Sequence, residues 1–408
     1  MAAVAGLRGS GDWGTDERPK NFREMILWRN PNGVTPLFAL MSRVQKESTD
    51  DPEFSWWDEP NDIIRLQVAG ALGAGDTNVV VDTSDPSASA PGNSYGLATH
   101  LKAGDQLLVE PATDNATFDH EIIEVVSVQS GTAFTVKRGQ AGTTAAAIAN
   151  DLWLLKLGSA YAEGTAAPDA VSRNPIKYFN YTQIFKTSYE LTGTAEKTNV
   201  RTGDVVANDK KRKTFDHSRD IEMALMFGQR SEGVGANGKP LRTMDGLRKF
   251  IPAANTTILA NNWGIADAAA GGNSFLEAIQ PVFDFDTPAG DTRIIFAGNG
   301  ALNRFNIALH TDAGLTASQL TFGGMEKVYG MNFNKFILPQ GNVLIKTHPL
   351  MNRNTLYTNS MFIIDFSAIR WRPLRGRDTN FQDNIQNKDE DLRRGQWLTE
   401  GGMEVRYG

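Results

Sequence analysis

Short apolar runs recur between residues 62 and 163, with turn signals separating them about every dozen residues. Ile64–Val68 alternates apolar and polar residues as a half-buried strand does, and Asn78–Asp82, Gln106–Val109, Glu121–Val128, Ala133–Val136 and Leu152–Leu157 continue the set at regular spacing as strands. Gly73–Asp76 is a turn and Ser84–Asn93 a Pro/Ser loop. Short strands at this spacing predict a small antiparallel sandwich or barrel. Phe54–Pro60 before the set and Tyr178–Phe185 after it are strands that carry the chain out and back.

The period then lengthens. Asp204–Gln229 predicts the longest helix: Gly203-Asp204 is a cap signal, Phe215, Ile221, Ala224, Leu225 and Phe227 mark an apolar side, and Lys210–Lys213 a charged one. At about 26 residues it would span roughly 39 Å. Helices at 275–283 and 300–310 then alternate with strands at 293–297, 335–338, 342–346, 360–365, 369–372 and 397–407, an α+β order. Residues 1–50 lack a pattern able to build a core, since Gly6, Gly9, Gly11, Gly14, Pro19, Pro31 and Pro36 interrupt helix. Yet this arm carries Trp13, Phe22, Trp28 and Phe38, large apolar groups that a solvated tail does not hold. It is expected to dock on another surface, of this chain or of a neighbour, with the neighbour favoured.

Composition changes the picture in one place. The 408 residues, 40% hydrophobic and 22% charged, suit a globular chain with two or three cores. Residues 62–163 hold twelve Asp and Glu against five Lys and Arg, a net of −7 in a chain of net −6. The rest therefore sums to +1, and the strand-rich module and the body are expected to face different surroundings. A pI near 5.5 argues against broad neutralisation of nucleic-acid phosphates. The absence of cysteine excludes disulfides, thiolate metal sites and cysteine nucleophiles, and fits a reducing cytoplasm. Neither a signal peptide at Met1 nor a membrane-spanning apolar run is expected.

Candidate chemistry is thin. The histidines at 100, 120, 217, 310 and 348 have no metal-ligand spacing; His120 reads as a solvated strand end and His217 as a surface residue beside Asp216. Gly233–Gly238 matches G-x-G-x-x-G, but a helix precedes it and Lys-Pro-Leu-Arg follows, the reverse of a dinucleotide site, so a loop is favoured. Lys210–Lys213 is interleaved with Asp204, Asp209, Asp216 and Asp220 and reads as an ion-paired helix face. Arg370, Arg372, Arg375 and Arg377 surround Trp371 and suit either nucleic acid or acidic partners across a subunit boundary. The second is favoured because Asp378, Asp383, Asp389, Glu390 and Asp391 balance them. No catalytic, cofactor or metal site is expected, and no enzymatic role.

Three stretches carry a resemblance. Thr132–Ala149, with its TVKRGQAGTTAAAIA core, resembles β-domains inserted in the E-loops of one subfamily of tailed-phage major capsid proteins; Phe227-Gly-Gln-Arg230 and Arg394–Arg406 are also similar to that subfamily. The resemblance covers nearly the whole chain and implies the Hong Kong-type capsid fold. The implied division is an N-terminal arm (1–50), an E-loop region (51–200) containing an inserted β-domain (62–163), a peripheral P-domain with a long spine helix (201–244), an axial A-domain (245–350) and P-domain C-terminal strands (351–408). It further implies self-assembly through pentamers and hexamers into an icosahedral shell around double-stranded DNA held without sequence-specific binding. Portal, scaffolding and cement proteins are the implied partners, with no membrane, assembly in the host cytoplasm and residence in the virion. The expected subunit contacts are Trp13, Phe22, Trp28 and Phe38 of the arm, Trp56 and Trp57 at the E-loop base, and Arg370, Arg372, Arg375 and Arg377. The rival reading is a carbohydrate- or surface-binding module built on the inserted β-domain.

Overall fold

The computed structural model describes residues 35–41, 46–58, 65–82, 97–110, 120–167, 175–200, 202–251, 256–259, 275–283, 290–311, 321–328 and 331–406. A short helix α1 (Pro36–Met41) precedes strand β1 (Glu53–Asp58). Six strands follow: β2 (Arg65–Gln67), β3 (Asn78–Val80), β4 (Asp105–Val109), β5 (Ile122–Val128), β6 (Ala133–Gln140) and β7 (Trp153–Ser159). The chain returns through β8 (Ile176–Tyr181) and β9 (Gln183–Thr192) to a one-turn helix α2 (Gly193–Lys197) and the long helix α3 (Val205–Phe227). Then come the hairpin β10 (Ser231–Val234) and β11 (Pro240–Thr243), helices α4 (Leu247–Phe250) and α5 (Phe275–Ile279), strand β12 (Thr292–Ala297) and helix α6 (Asn299–Thr311). Strands β13 (Thr321–Val328), β14 (Met331–Leu338), β15 (Gly341–Thr347), β16 (Met361–Ile364), β17 (Ile369–Pro373), β18 (Asn380–Gln382) and β19 (Leu392–Val405) complete the order.

The alternating stretch closes on itself. Its six strands lie in the order β2-β7-β4-β5-β6-β3, and Val68 bridges Val81 to join the two ends, making a barrel. Leu66, Val68, Leu107, Ile123, Val125, Phe134, Val136 and Leu154, each at most 2% exposed, fill the interior. Before and after it, β1 and β8 pair antiparallel along their whole length, from Glu53 opposite Tyr181 to Asp58 opposite Ile176.

Helix α3 begins where the cap signal placed it: the Asp204 carboxylate accepts from the Val206 and Ala207 amides at 2.9 and 3.3 Å. It ends at Gly228, where a Cβ would stand 2.5 Å from the Ala224 carbonyl and 2.6 Å from that of Met244. Its 23 residues make about 34 Å of helix. One five-stranded sheet, β13-β14-β15-β12-β16, is buried on both faces through its centre. Along β12, Ile294 and Phe296 enter the core with α3, while Ile295 and Ala297 enter a second core with α5 and α6. Strand β16 lies past the expected boundary at 350 and still belongs to this sheet.

A second sheet is organised by β19, which pairs with β9 from Leu392 to Gly401, with β18 and with β17. The strand expected to stop at Phe185 therefore divides in two and runs on to Thr192, and the last strand starts at Leu392, five residues before the expected start. The G-x-G-x-x-G stretch is the β10–β11 hairpin and its turn, with Gly238 at φ +72°. No helix among the described residues is long and apolar enough to cross a membrane.

Candidate assembly surface

Trp13, Phe22 and Trp28 lie outside the described residues. The last part of the arm is described, and it docks on its own chain. Leu37 and Met41 are 0% and 1% exposed in the core around α3, and Phe38, partly buried, packs against the same core. The anchor is Glu222 of α3. Its carboxylate accepts from the Leu37 and Phe38 amides at 2.8 and 2.5 Å and contacts His348 Nε2 at 2.6 Å, with both side chains fully buried.

The two tryptophans of β1 face opposite ways, as a period of two requires. Trp56 is 8% exposed and packs among Phe54, Tyr178 and Phe250 at ring-centroid distances of 6.1 Å. Trp57 is 65% exposed. Trp56 is thus buried within its own chain, and Trp57 is open to solvent.

The arginine cluster is likewise drawn inward. Arg370 donates to the Ser367 and Ile369 carbonyls. Arg372 pairs with Glu47 at 2.6 Å and with buried Glu404 at 3.3 Å, and Arg406 bonds the same Glu404. Arg377 pairs with buried Glu400. These acids belong to the same chain. Arg375 differs: it and its partner Asp50, 3.6 Å away, are both largely exposed. The basic run on α3 is similarly occupied, with Lys210 over the Phe381 ring at 3.6 Å and Arg212 near Asp209 at 3.8 Å. An open cleft of about 780 Å³ beside the start of α3 mixes Lys197 and Lys210 with Asp204 and Asp383, and its Arg393 is held by Asp383 at 2.8 Å.

His217, expected at the surface, is 3% exposed. Its Nδ1 lies 3.1 Å from Thr187 Oγ1 and its Nε2 2.8 Å from Thr399 Oγ1, tying α3 to β9 and β19. Burial holds its pKa down at about 4 from an ordinary 6.5. The fold favours neutral imidazole, so the unfolded chain takes up the proton first. Stability is full above pH 6.5, falls as pH drops towards 4 and levels off below it, a loss of about 3 kcal/mol in all. Urea midpoints between pH 7 and 4 are expected to slope less for His217→Gln than for the natural chain; equal slopes would exclude His217 as the cause.

The residues that carried the resemblance prove architectural. Arg138 is 7% exposed and grips Glu121 through Nε and Nη2, both at 2.7 Å, while its other donors reach the Gly73, Asp76 and Ala146 carbonyls. Glu121 also accepts from the Gly139 and Ala146 amides. Burial pushes the Glu121 carboxyl up, but Arg138 and these amides outweigh it and hold the carboxyl below its usual range. Phe227 stacks on Tyr357 at 4.2 Å, and Arg230 lies over the Phe179 ring at 3.8 Å. A Cβ on Gly401 would stand 2.5 Å from the Trp371 ring, and one on Gly402 2.7 Å from that of Phe54.

A major capsid protein of Pseudomonas phage PaMx41 is 26% identical over 379 residues, covering 91% of this chain and 82% of that one. Among solved structures, chains from Microbacterium phage Oxtober96 (TM-score 0.41, 10% identity, 96% of this chain and 90% of that one) and from the capsid of a native GTA particle (TM-score 0.41, 9% identity, 97% and 94%) also align. Residues 8–408 match the SU10 major capsid protein family, and the chain belongs to it: a structural protein of a phage capsid, resident in the virion, and not an enzyme.

Proposed function

We propose that copies of this chain close into pentamers and hexamers and build an icosahedral shell around double-stranded DNA, on the Hong Kong-type fold. In this reading α3 is the spine helix, the β1–β8 ribbon is the E-loop base with the barrel inserted beyond it, and the sheet around β12 with α5 and α6 forms most of the A-domain. The observation that carries it is the ribbon. One of its tryptophans is sunk in the subunit's own core, and the next, Trp57, stands 65% exposed. A large exposed aromatic on a rigid strand is the usual anchor of a protein interface. Trp57, Arg375 and the arm residues Trp13, Phe22 and Trp28 meet neighbours, whereas Phe38, Trp56, Arg370, Arg372 and Arg377 support that surface from within.

Ring contacts of this kind are heterologous and close by rotation. A subunit with several neighbours buries more than about 2,000 Å², the range of permanent assemblies. With the barrel's charge set aside, the rest of the chain sums to +1, which supports enclosure of DNA without strong phosphate binding. Portal, scaffolding and cement proteins are the further partners, with assembly in the host cytoplasm. Electron microscopy of the expressed chain is expected to show closed shells. Trp57→Ala is expected to leave the subunit folded by circular dichroism while weakening its assembly by about 2 kcal/mol or more per contact. A natural chain that stays a monodisperse monomer, or shells indifferent to the Trp57 change, would count against the reading.

A further inference from the structure

Two Asn-Gly pairs lie among the described residues, and the fold holds them differently. Asn237-Gly238 forms the tip of the β10–β11 hairpin; both residues are exposed, and a Cβ on Gly238 would have nothing within 4 Å. Two backbone bonds close this turn, from the Gly238 amide to the Gly235 carbonyl at 2.9 Å and from the Gly235 amide to the Lys239 carbonyl at 2.8 Å. The Asn237 side chain folds back along its own chain, its Oδ1 accepting from the Lys239 amide at 3.1 Å, so the carboxamide reaches across Gly238. Asn299-Gly300 instead opens α6. There Oδ1 accepts from Thr347 Oγ1 of β15 at 2.7 Å, which turns the carboxamide towards the sheet. A Cβ on Gly300 would collide with Asn359 and stand 2.9 Å from the Thr358 carbonyl, so this backbone is packed as well.

We propose that Asn237 is a site of spontaneous covalent modification, at which the Gly238 nitrogen attacks the Asn237 carboxamide and converts the residue to aspartate and isoaspartate. The Gly238 nitrogen gives its proton to solvent base and bonds to Asn237 Cγ; the Cγ–Nδ2 bond breaks and ammonia leaves, closing a five-membered imide. Water then opens the imide at either carbonyl. Asparagine and water thus become a carboxylate and ammonia, and no other reactant is consumed. Glycine permits the attack because it has no Cβ to shield its nitrogen. The Lys239 amide already lies on the oxygen where negative charge develops, a donor in place before the reaction starts. The Gly238–Gly235 bond has to open first, and losing one exposed backbone hydrogen bond slows the step by about tenfold at most. Asn299 has to leave Thr347 and loosen the packed start of α6, a larger opening. The product at the hairpin tip carries one more negative charge. In its isoaspartate form the backbone also gains a carbon, which displaces the two bonds that close the turn.

The natural full-length chain, as dissociated subunits, is aged in mildly alkaline buffer with and without urea. Peptide mass spectrometry then follows the gain of one dalton at each asparagine. Urea frees both pairs from structure, so each site supplies its own reference rate. In the folded chain Asn237 is expected to react within about tenfold of its rate in urea, whereas Asn299 is slowed by about a hundredfold or more. Isoaspartate is expected beside aspartate in the tip peptide, as opening of an imide from both sides requires. Asn237 slowed as strongly as Asn299 would show that the turn protects it and would overturn the proposal. Equal rates at the two sites in the folded chain would mean that the fold makes no selection between them, with the same consequence. A product of aspartate alone would rule out attack by Gly238.

Discussion

Glu222→Ala is expected to destabilise the subunit by about 3–5 kcal/mol, the cost of removing one partner from a buried polar cluster. The change strands three donors at once, the Leu37 and Phe38 amides and His348 Nε2. A buried donor left without an acceptor costs about 1–3 kcal/mol, and the space vacated beside Leu37 and Met41 adds a cavity. Glu222→Gln keeps the shape and one acceptor oxygen but turns an NH₂ towards the remaining donors, so a loss of about 1–3 kcal/mol is expected. Urea denaturation gives both values. Hydrogen exchange at residues 36–41 separates local release of the arm from global loss. Glu222→Ala within about 1 kcal/mol of the natural chain would mean that the arm is held by its apolar contacts alone.

What the sequence hid is what depends on distant partners. The barrel strands were legible because short apolar runs recur between turn signals, and α3 because Gly203 and Asp204 stand directly before its first residue. Nothing local marks Glu222 as buried, since it stands between Ile221 and Met223 in a charged helix and its partners are 185 and 126 residues away. Strand β19 takes in Arg393, Arg394 and Gly395, ahead of the expected start at Trp397. They become strand because β9 pairs with them and because Gly395 gives room to the Tyr189 ring, 2.7 Å from where a Cβ would be. The arginine cluster shows the same dependence, since Glu47, Glu400 and Glu404 reach it through the fold from outside the acidic stretch 378–391. Of the expected contact residues, Trp57 and Trp56 were indistinguishable until the ribbon's buried face was known.

Arg138→Ala is expected to unfold the barrel and leave the rest standing. Arg138 and Glu121 form a buried pair whose remaining donors and acceptors are all taken by backbone, so losing the guanidinium strands a charge and three carbonyls, again about 3–5 kcal/mol. A unit of about 100 residues has some 5–15 kcal/mol in total, so the loss is a large part of what it has. Calorimetry of the natural chain should resolve a barrel transition, and Arg138→Ala should lower it by about 15–30 °C while the other transition stays in place. The hydrophobic clusters explain the separation, since none of the barrel's buried residues is shared with the cores around α3 or β12. Acid should act in the same direction. The Glu121 carboxyl is held below its usual range, so its contribution is present above the unfolded value and is lost as pH falls through the folded one. The double change Arg138→Met with Glu121→Leu should cost less than either single change, because no charge is left unpaired. A stricter form removes the barrel. Asp58 and Ile176 are direct partners at the end of the ribbon, so a short Gly/Ser turn in place of residues 59–175 can join β1 to β8 without moving either. That shortened chain should keep the α3 core and its thermal transition, whereas disrupting the ribbon by Trp56→Ala should cost about 3–5 kcal/mol. If the shortened chain fails to fold while Trp56→Ala is tolerated, the barrel is part of the subunit's core and the ribbon is only a tether.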